Sequence, residues 1–131
     1  MDKHCFNAPS GPPAVGPYSH CVIANGFLFV SGQIALAPDG SGPRTGSFEE
    51  EARTALDNLK TILEEAGSGL GHVVKTTIYL ADMARFKEFN AIYGEYFTID
   101  PPARTCIQVG ALPLDLQVEI EAIAVKPERN G

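Results

Sequence analysis

The chain has no tryptophan, only two methionines and three cysteines, and few basic residues. Ten Lys and Arg stand against sixteen Asp and Glu, a formal net charge of −6. No basic cluster occurs along the chain, and nucleic-acid backbones are held by several Lys or Arg together. No nucleic-acid partner is therefore expected. Long apolar runs are also missing. The stretches Phe27 to Val30 and Ile78 to Leu80 fall far short of the roughly 20 residues a bilayer span needs. No basic-then-apolar segment opens the chain, so neither a signal peptide nor a membrane partner is expected. Cys5, Cys21 and Cys106 form no CxxC and leave one thiol unpaired, which favours a reducing, cytoplasmic setting. There is no HExxH, no Cys/His ligand spacing, no P-loop and no GxGxxG, so no motif demands a metal or a nucleotide cofactor.

What is present is a folding composition. Hydrophobic residues make up 44% of the 131 and charged residues 20%. That length suits one domain, 1–131, able to hide roughly two-thirds of the surface an unfolded chain exposes. Residues Asn7 to Ser19 (NAPSGPPAVGPYS) are rich in Pro and Gly and read as an ordered loop or stiff arm. Next, CVIANGFLFVSGQI places two apolar strands around Asn25-Gly26, a type I′ hairpin signal. Ser47, with Glu50 three residues on, predicts a helix start. Phe48, Ala52, Ala55, Leu56, Leu59, Ile62, Leu63 and Ala66 recur at helical spacing, and Gly67 supplies the stop. VVKTTIYL (Val73 to Leu80) reads as a long strand. Asp82 can cap a second helix with a stripe of Phe86, Phe89, Tyr93 and Phe97. Asn90 shares that stripe, either as a satisfied buried amide or as a group orienting a ligand or loop. Pro101-Pro102 ends the helix.

The final stretch, PPARTCIQVGALPLDLQVEIEAIAV, reads as two strands closing the chain in a hairpin. The element order predicts an α+β sandwich of two layers, a mixed sheet with two helices on one face. Alternation sends Leu116, Val118, Ile120 and Ala122 one way and Gln117, Glu119 and Glu121 the other. If Ile107 lies opposite Val118, then Cys106 falls opposite Glu119 and Arg104 opposite Glu121. Two readings stand. One is a solvated cross-strand Arg–Glu pair. The other is an anion anchored by the Arg104 fork, with Glu119 or Glu121 orienting or activating water. The second needs that face partly buried, most simply by oligomer formation.

NAP with GPYSH, FVSGQI, DNLKTILEEAG, VVKTTIYLADM, FNAIYGEYF, and PPARTC followed by LPLDLQVEIEAIAV resemble the YjgF/RidA (UK114-like) family over nearly the whole chain, in order and spacing. The resemblance implies a chorismate-mutase-like fold, a curved mixed sheet backed by two helices, and a homotrimer with ligand sites in clefts between subunits. It implies hydrolysis of enamines and imines of the 2-aminoacrylate type to 2-oxo acids and ammonia, without a cofactor. By position, Arg104 pairs with the substrate carboxylate, assisted by backbone N–H groups of Cys106 and Gly32. Glu119 holds or activates water. Tyr18 and Ser31 line the pocket and Asn90 shapes it. Taken alone, Tyr18 reads equally as a packing aromatic. Cys106 reads as a small lining residue more than a nucleophile, and His20 as structural or superficial more than a base. The alternatives are a binding-only 2-oxo acid sensor, and, less favoured, an endoribonuclease, translation inhibitor or holdase. The long arm leaves the shape of the pocket entrance open.

Overall fold

The computed structural model describes residues 2–128. Strands β1 (His4–Phe6), β2 (Cys21–Ala24) and β3 (Phe27–Gln33) are followed by helix α1 (Phe48–Glu65) and strand β4 (Val73–Leu80). Helix α2 (Phe86–Tyr96) and strands β5 (Ala103–Gln108) and β6 (Val118–Val125) complete the chain. The six strands form one mixed sheet in the order β1-β2-β3-β6-β4-β5.

Local chemistry explains the elements. Asn25 (φ 52°) and Gly26 (φ 81°) make the turn that pairs Ala24 with Phe27, as the dipeptide predicts. Ser47 Oγ accepts the Glu50 N–H at 3.1 Å, starting α1. Gly67, at φ 90°, ends it, with its N–H donated to Glu64 O and the Ser68 N–H to Leu63 O. Asp82 caps a 3-10 turn, Met83–Arg85, that leads into α2, rather than α2 itself. The apolar stripe of α1 packs with Phe89, Tyr93 and Phe97 onto one face of the sheet. That face presents Leu28, Val30, Ile78, Leu80, Val118, Ile120, Ala122 and Ala124. Each large aliphatic side chain fully buried there contributes about 1.5–3 kcal/mol of transfer free energy.

Among the described residues, no helix covers the second sheet face. Phe27, Phe29 and Ile107 are exposed there, and Lys75 Nζ donates to Thr105 Oγ1 at 2.7 Å. The three-residue β1 was not anticipated; its short, exposed pattern has no period to read.

One expectation fails. β5 and β6 do not form a hairpin. β5 runs parallel to β4 after the α2 crossover, and β6 inserts between β3 and β4, antiparallel to both. The linker contains a turn, Pro113–Asp115, with Leu114 and Asp115 at positive φ, that carries the chain across β4. Two ladders and burial of every second residue favour the central slot for β6 over one hairpin partner at an edge.

Candidate functional site

A bulge builds the first group of candidate residues. Val30 pairs with Ala122 and Gln33 with Ile120, so Ser31 and Gly32 together oppose the single residue Glu121. The bulge holds Ser31, whose N–H donates to His20 O at 2.9 Å and whose hydroxyl donates to Ser19 O at 2.6 Å. Next to it, Gly32 lies under the Glu119 side chain. Any Cβ there would overlap Glu119 Oε2, with Cδ only 2.8 Å away. Tyr18, on the arm, accepts the Val15 N–H through its hydroxyl. Tyr18, Ser31, Gly32 and Glu119 line one cavity of about 270 Å³.

Glu119 is half-buried, and burial holds its carboxyl above the usual carboxylate range. The charge of Glu121, on the same sheet face, pushes it the same way. Glu121 is itself tied down by the Tyr79 hydroxyl. That hydrogen bond, with burial and the two acid charges, pushes the Tyr79 phenol up to about 12.

The second group lies across the sheet. Arg104, on edge strand β5, donates to Asn90 Oδ1 at 2.7 Å. Its guanidinium carbon sits 4.9 Å from the Tyr93 ring centre and 5.5 Å from that of Phe86. Among the described residues Arg104 has no carboxylate partner; the ion pairs use Arg53 and Arg85. Part of its fork is thus uncommitted. Cys106, two residues on, shares this face, and burial raises its thiol above the ordinary range against the pull of Arg104. A thiol that burial holds protonated despite the nearby guanidinium is a poor nucleophile.

Residues 8–126 match the family described as Endoribonuclease L-PSP. A RutC family protein of Synechocystis is 49% identical over 129 residues, covering 97% of this chain and 99% of that protein. The human 2-iminobutanoate/2-iminopropanoate deaminase is 40% identical over 124 residues, covering 95% of this chain and 90% of that protein. The crystal structure of E. coli TdcF with bound serine superimposes with a TM-score of 0.89 at 35% identity, covering 95% and 99% of the two chains. The chain belongs to the YjgF/RidA family.

Within this YjgF/RidA chain the candidates fall into two sets that do not meet. Glu119 and Glu121 alternate with buried Val118 and Ile120 and so face away from the helices. Arg104 pairs in register with Thr76, a buried residue bonded to Tyr93 of α2, and so faces the helices. The expected juxtapositions of Cys106 with Glu119 and of Arg104 with Glu121 are therefore wrong. β4 lies between the strands, and Tyr79 and Thr77 take the positions opposite Glu119 and Glu121. The solvated Arg104–glutamate pair is absent for the same reason.

Two supporting residues were not anticipated. Glu51, 4% exposed, accepts the Gln117 N–H at 3.0 Å and its side-chain amide at 2.7 Å, fixing the entry to β6 two residues before Glu119. The signal was present, since Glu51 stands three residues after Phe48 and four before Ala55, on the buried stripe. Asn58, 1% exposed, donates to Ile34 O and Leu36 O, holding the segment after β3.

Proposed function

We propose that the protein hydrolyses small enamines and imines of 2-oxo acids, releasing the 2-oxo acid and ammonia. We infer that each site joins the Arg104 set of one copy to the Glu119 set of another in a homotrimer. The observation that carries this is the split itself. An arginine fork without a carboxylate and an acid with an elevated pKa stand on opposite sheet faces, and the Glu119 side has an uncovered sheet face beside it.

In this reading Arg104 grips the substrate carboxylate bidentately while Asn90 holds the guanidinium in plane. The Cys106 and Gly32 backbone N–H groups assist. Ser31 and Tyr18 complete the wall. Fixing the carboxylate sets the C=N carbon near a water held by Glu119, a gain in proximity. That water attacks the carbon of the protonated imine, C=NH2+, and gives a proton to Glu119, forming a neutral carbinolamine. Glu119 returns the proton to the amine nitrogen. The C–N bond then breaks as the hydroxyl oxygen forms C=O, and its proton leaves with ammonia as ammonium. An acid held above the usual range suits both transfers. The human relative's name supports the reaction class, and serine bound to TdcF supports a small carboxylate-bearing ligand. No helix among the described residues is long and apolar enough to cross a membrane.

The test is a coupled assay in which an amino-acid oxidase or a dehydratase generates the imine and its loss is followed. Wild type should accelerate the loss and Arg104→Ala should not. No acceleration with several imines would leave a binding-only role, read next by titration with 2-oxo acids.

A further inference from the structure

The cavity at Glu119 has one wall that is not part of the sheet. Pro12 and Pro13 of the N-terminal arm, with Val15 beyond them, face Ile34, Leu36 and Pro113. This arm segment runs between β1 and β2 and belongs to no strand. Its prolines have no N–H to donate, so a ladder cannot hold it. The Ser10 N–H donates to Glu65 Oε1 at 2.9 Å, away from the cavity, and a buried side chain that lines the cavity itself supplies the other fastening.

His20 is 4% exposed. Its Nδ1 accepts the Ala8 N–H at 2.9 Å, and its Nε2 lies 2.6 Å from Pro12 O. A carbonyl can only accept, so the partners assign the hydrogen to Nε2 and make the ring the neutral tautomer. The ring thereby ties both ends of the turn closed by the Gly11 N–H to Ala8 O bond at 3.1 Å. Gly11 packs on the ring edge, where a Cβ would stand 3.1 Å from Cε1. The His20 N–H donates to Asn7 Oδ1 at 2.9 Å. On its other side the His20 carbonyl accepts the Ser31 N–H at 2.9 Å. One residue therefore connects the arm to the bulge that carries Ser31 and Gly32.

We propose that His20 is a positioning residue that clasps the arm in place as the apolar wall of the Glu119 cavity, and that this wall selects substrates with short aliphatic side chains. The selectivity half rests on the deaminase reading above. Polar groups gather on the Glu119 side of the cavity, whereas Pro12, Pro13 and Val15 of the arm offer proline and aliphatic carbon to the substrate's own side chain, with Tyr18 beside them. About 270 Å³ lies below the roughly 300–1,000 Å³ of pockets that take drug-sized ligands, which suits a small metabolite.

The experiment compares wild type, His20→Ala, His20→Gln and Val15→Ala. Hydrogen exchange is read at the Ala8 and Gly11 amides. Kinetics are measured on the imines that an amino-acid oxidase makes from alanine and from leucine. Wild type should prefer the alanine-derived imine. His20→Ala should speed exchange at Ala8 at least ~10-fold and narrow the kcat/KM preference at least ~5-fold, through KM for the larger imine. His20→Gln, which keeps an acceptor and a donor, should restore much of both. Val15→Ala, at an exposed position that spares the core, should narrow the preference without loosening Ala8.

Unchanged Ala8 exchange in His20→Ala would overturn the clasp. Faster exchange with an unchanged preference in both His20→Ala and Val15→Ala would overturn the selecting wall. If wild type hydrolyses neither imine, the deaminase reading falls. The wall is then judged by the relative affinities for pyruvate and 4-methyl-2-oxopentanoate across the same variants, where a narrowed ratio supports it and an unchanged ratio overturns it.

Discussion

Glu119 folds directly over Gly32, so closely that a Cβ on Gly32 would overlap the carboxylate. The glycine is required here by the approach of a side chain, not by its own backbone angle. Gly32→Ala must push Glu119 aside, and a displacement of about 1 Å at a reacting group is worth on the order of 10²-fold in rate. Turnover of the imine should drop by that order while thermal unfolding stays close to wild type, as read by the coupled assay and a melting curve.

Glu119 also predicts an opposition between activity and stability. Its folded-state pKa is raised, mainly by burial, so the native protein binds this proton more tightly than the unfolded chain does. The favourable contribution is complete below the unfolded carboxyl value. It is lost as pH rises through the folded value, beyond which the buried charge is a burden. Glu119→Gln should therefore raise the melting temperature at neutral pH and lower turnover by ~10²–10⁴-fold. In wild type the acidic limb of the kcat/KM profile should lie above the usual glutamate range, and Glu119→Gln should abolish that limb.

Arg104 and Glu119 face opposite ways within one chain, so each single variant should be rescued by the other in a mixed oligomer. Arg104→Ala and Glu119→Gln should each be nearly inactive. Subunit exchange at equal concentrations should return activity to about a quarter of the sites, those that draw Arg104 from a Glu119→Gln chain and Glu119 from an Arg104→Ala chain. No recovery after verified exchange would mean that the two residues do not share a site across subunits.

The uncovered sheet face should be the assembly surface. Phe29 is 45% exposed on it, opposite Val22 and Ile123 in the ladders. Phe29→Glu should give a folded monomer by light scattering, with native circular dichroism and no turnover. A trimer that survives this substitution would place the interface elsewhere.

The thiols should rank by environment. Cys5 is exposed, Cys106 half-buried with a raised pKa, and Cys21 fully buried and pushed up to about 11. Alkylation followed by mass spectrometry at neutral pH should mark Cys5 first, Cys106 slowly and Cys21 only on unfolding.

Much of this architecture was written in local pattern. Asn25-Gly26, Ser47 with Glu50, the stripe from Phe48 to Ala66 and the β-branched run at Val73 each act over a few residues, where turn chemistry and periodicity are decisive. Arg104 and Glu119 were legible as types, an arginine between alternating strand positions and a glutamate opposite the apolar face, whereas Ser31 and Gly32 stood out only through the family resemblance. Their grouping was not. Period-two alternation says which residues share a face within one strand, and nothing about which strand lies beside it. Placing Arg104 opposite Glu121 needed a hairpin that adjacency in sequence suggests and the sheet does not make.

The sequence by itself determined the two helices, the strands other than β1, and the helix-bearing core face, because those follow from local sterics and burial period. Tertiary structure alone decided that β6 enters between β3 and β4, that Arg104 turns to the helices while Glu119 turns away, and that His20 holds the arm against the cavity. Each of those depends on contacts between segments far apart in the chain, where the gain of a second ladder, a buried face or two satisfied ring nitrogens outweighs any local preference.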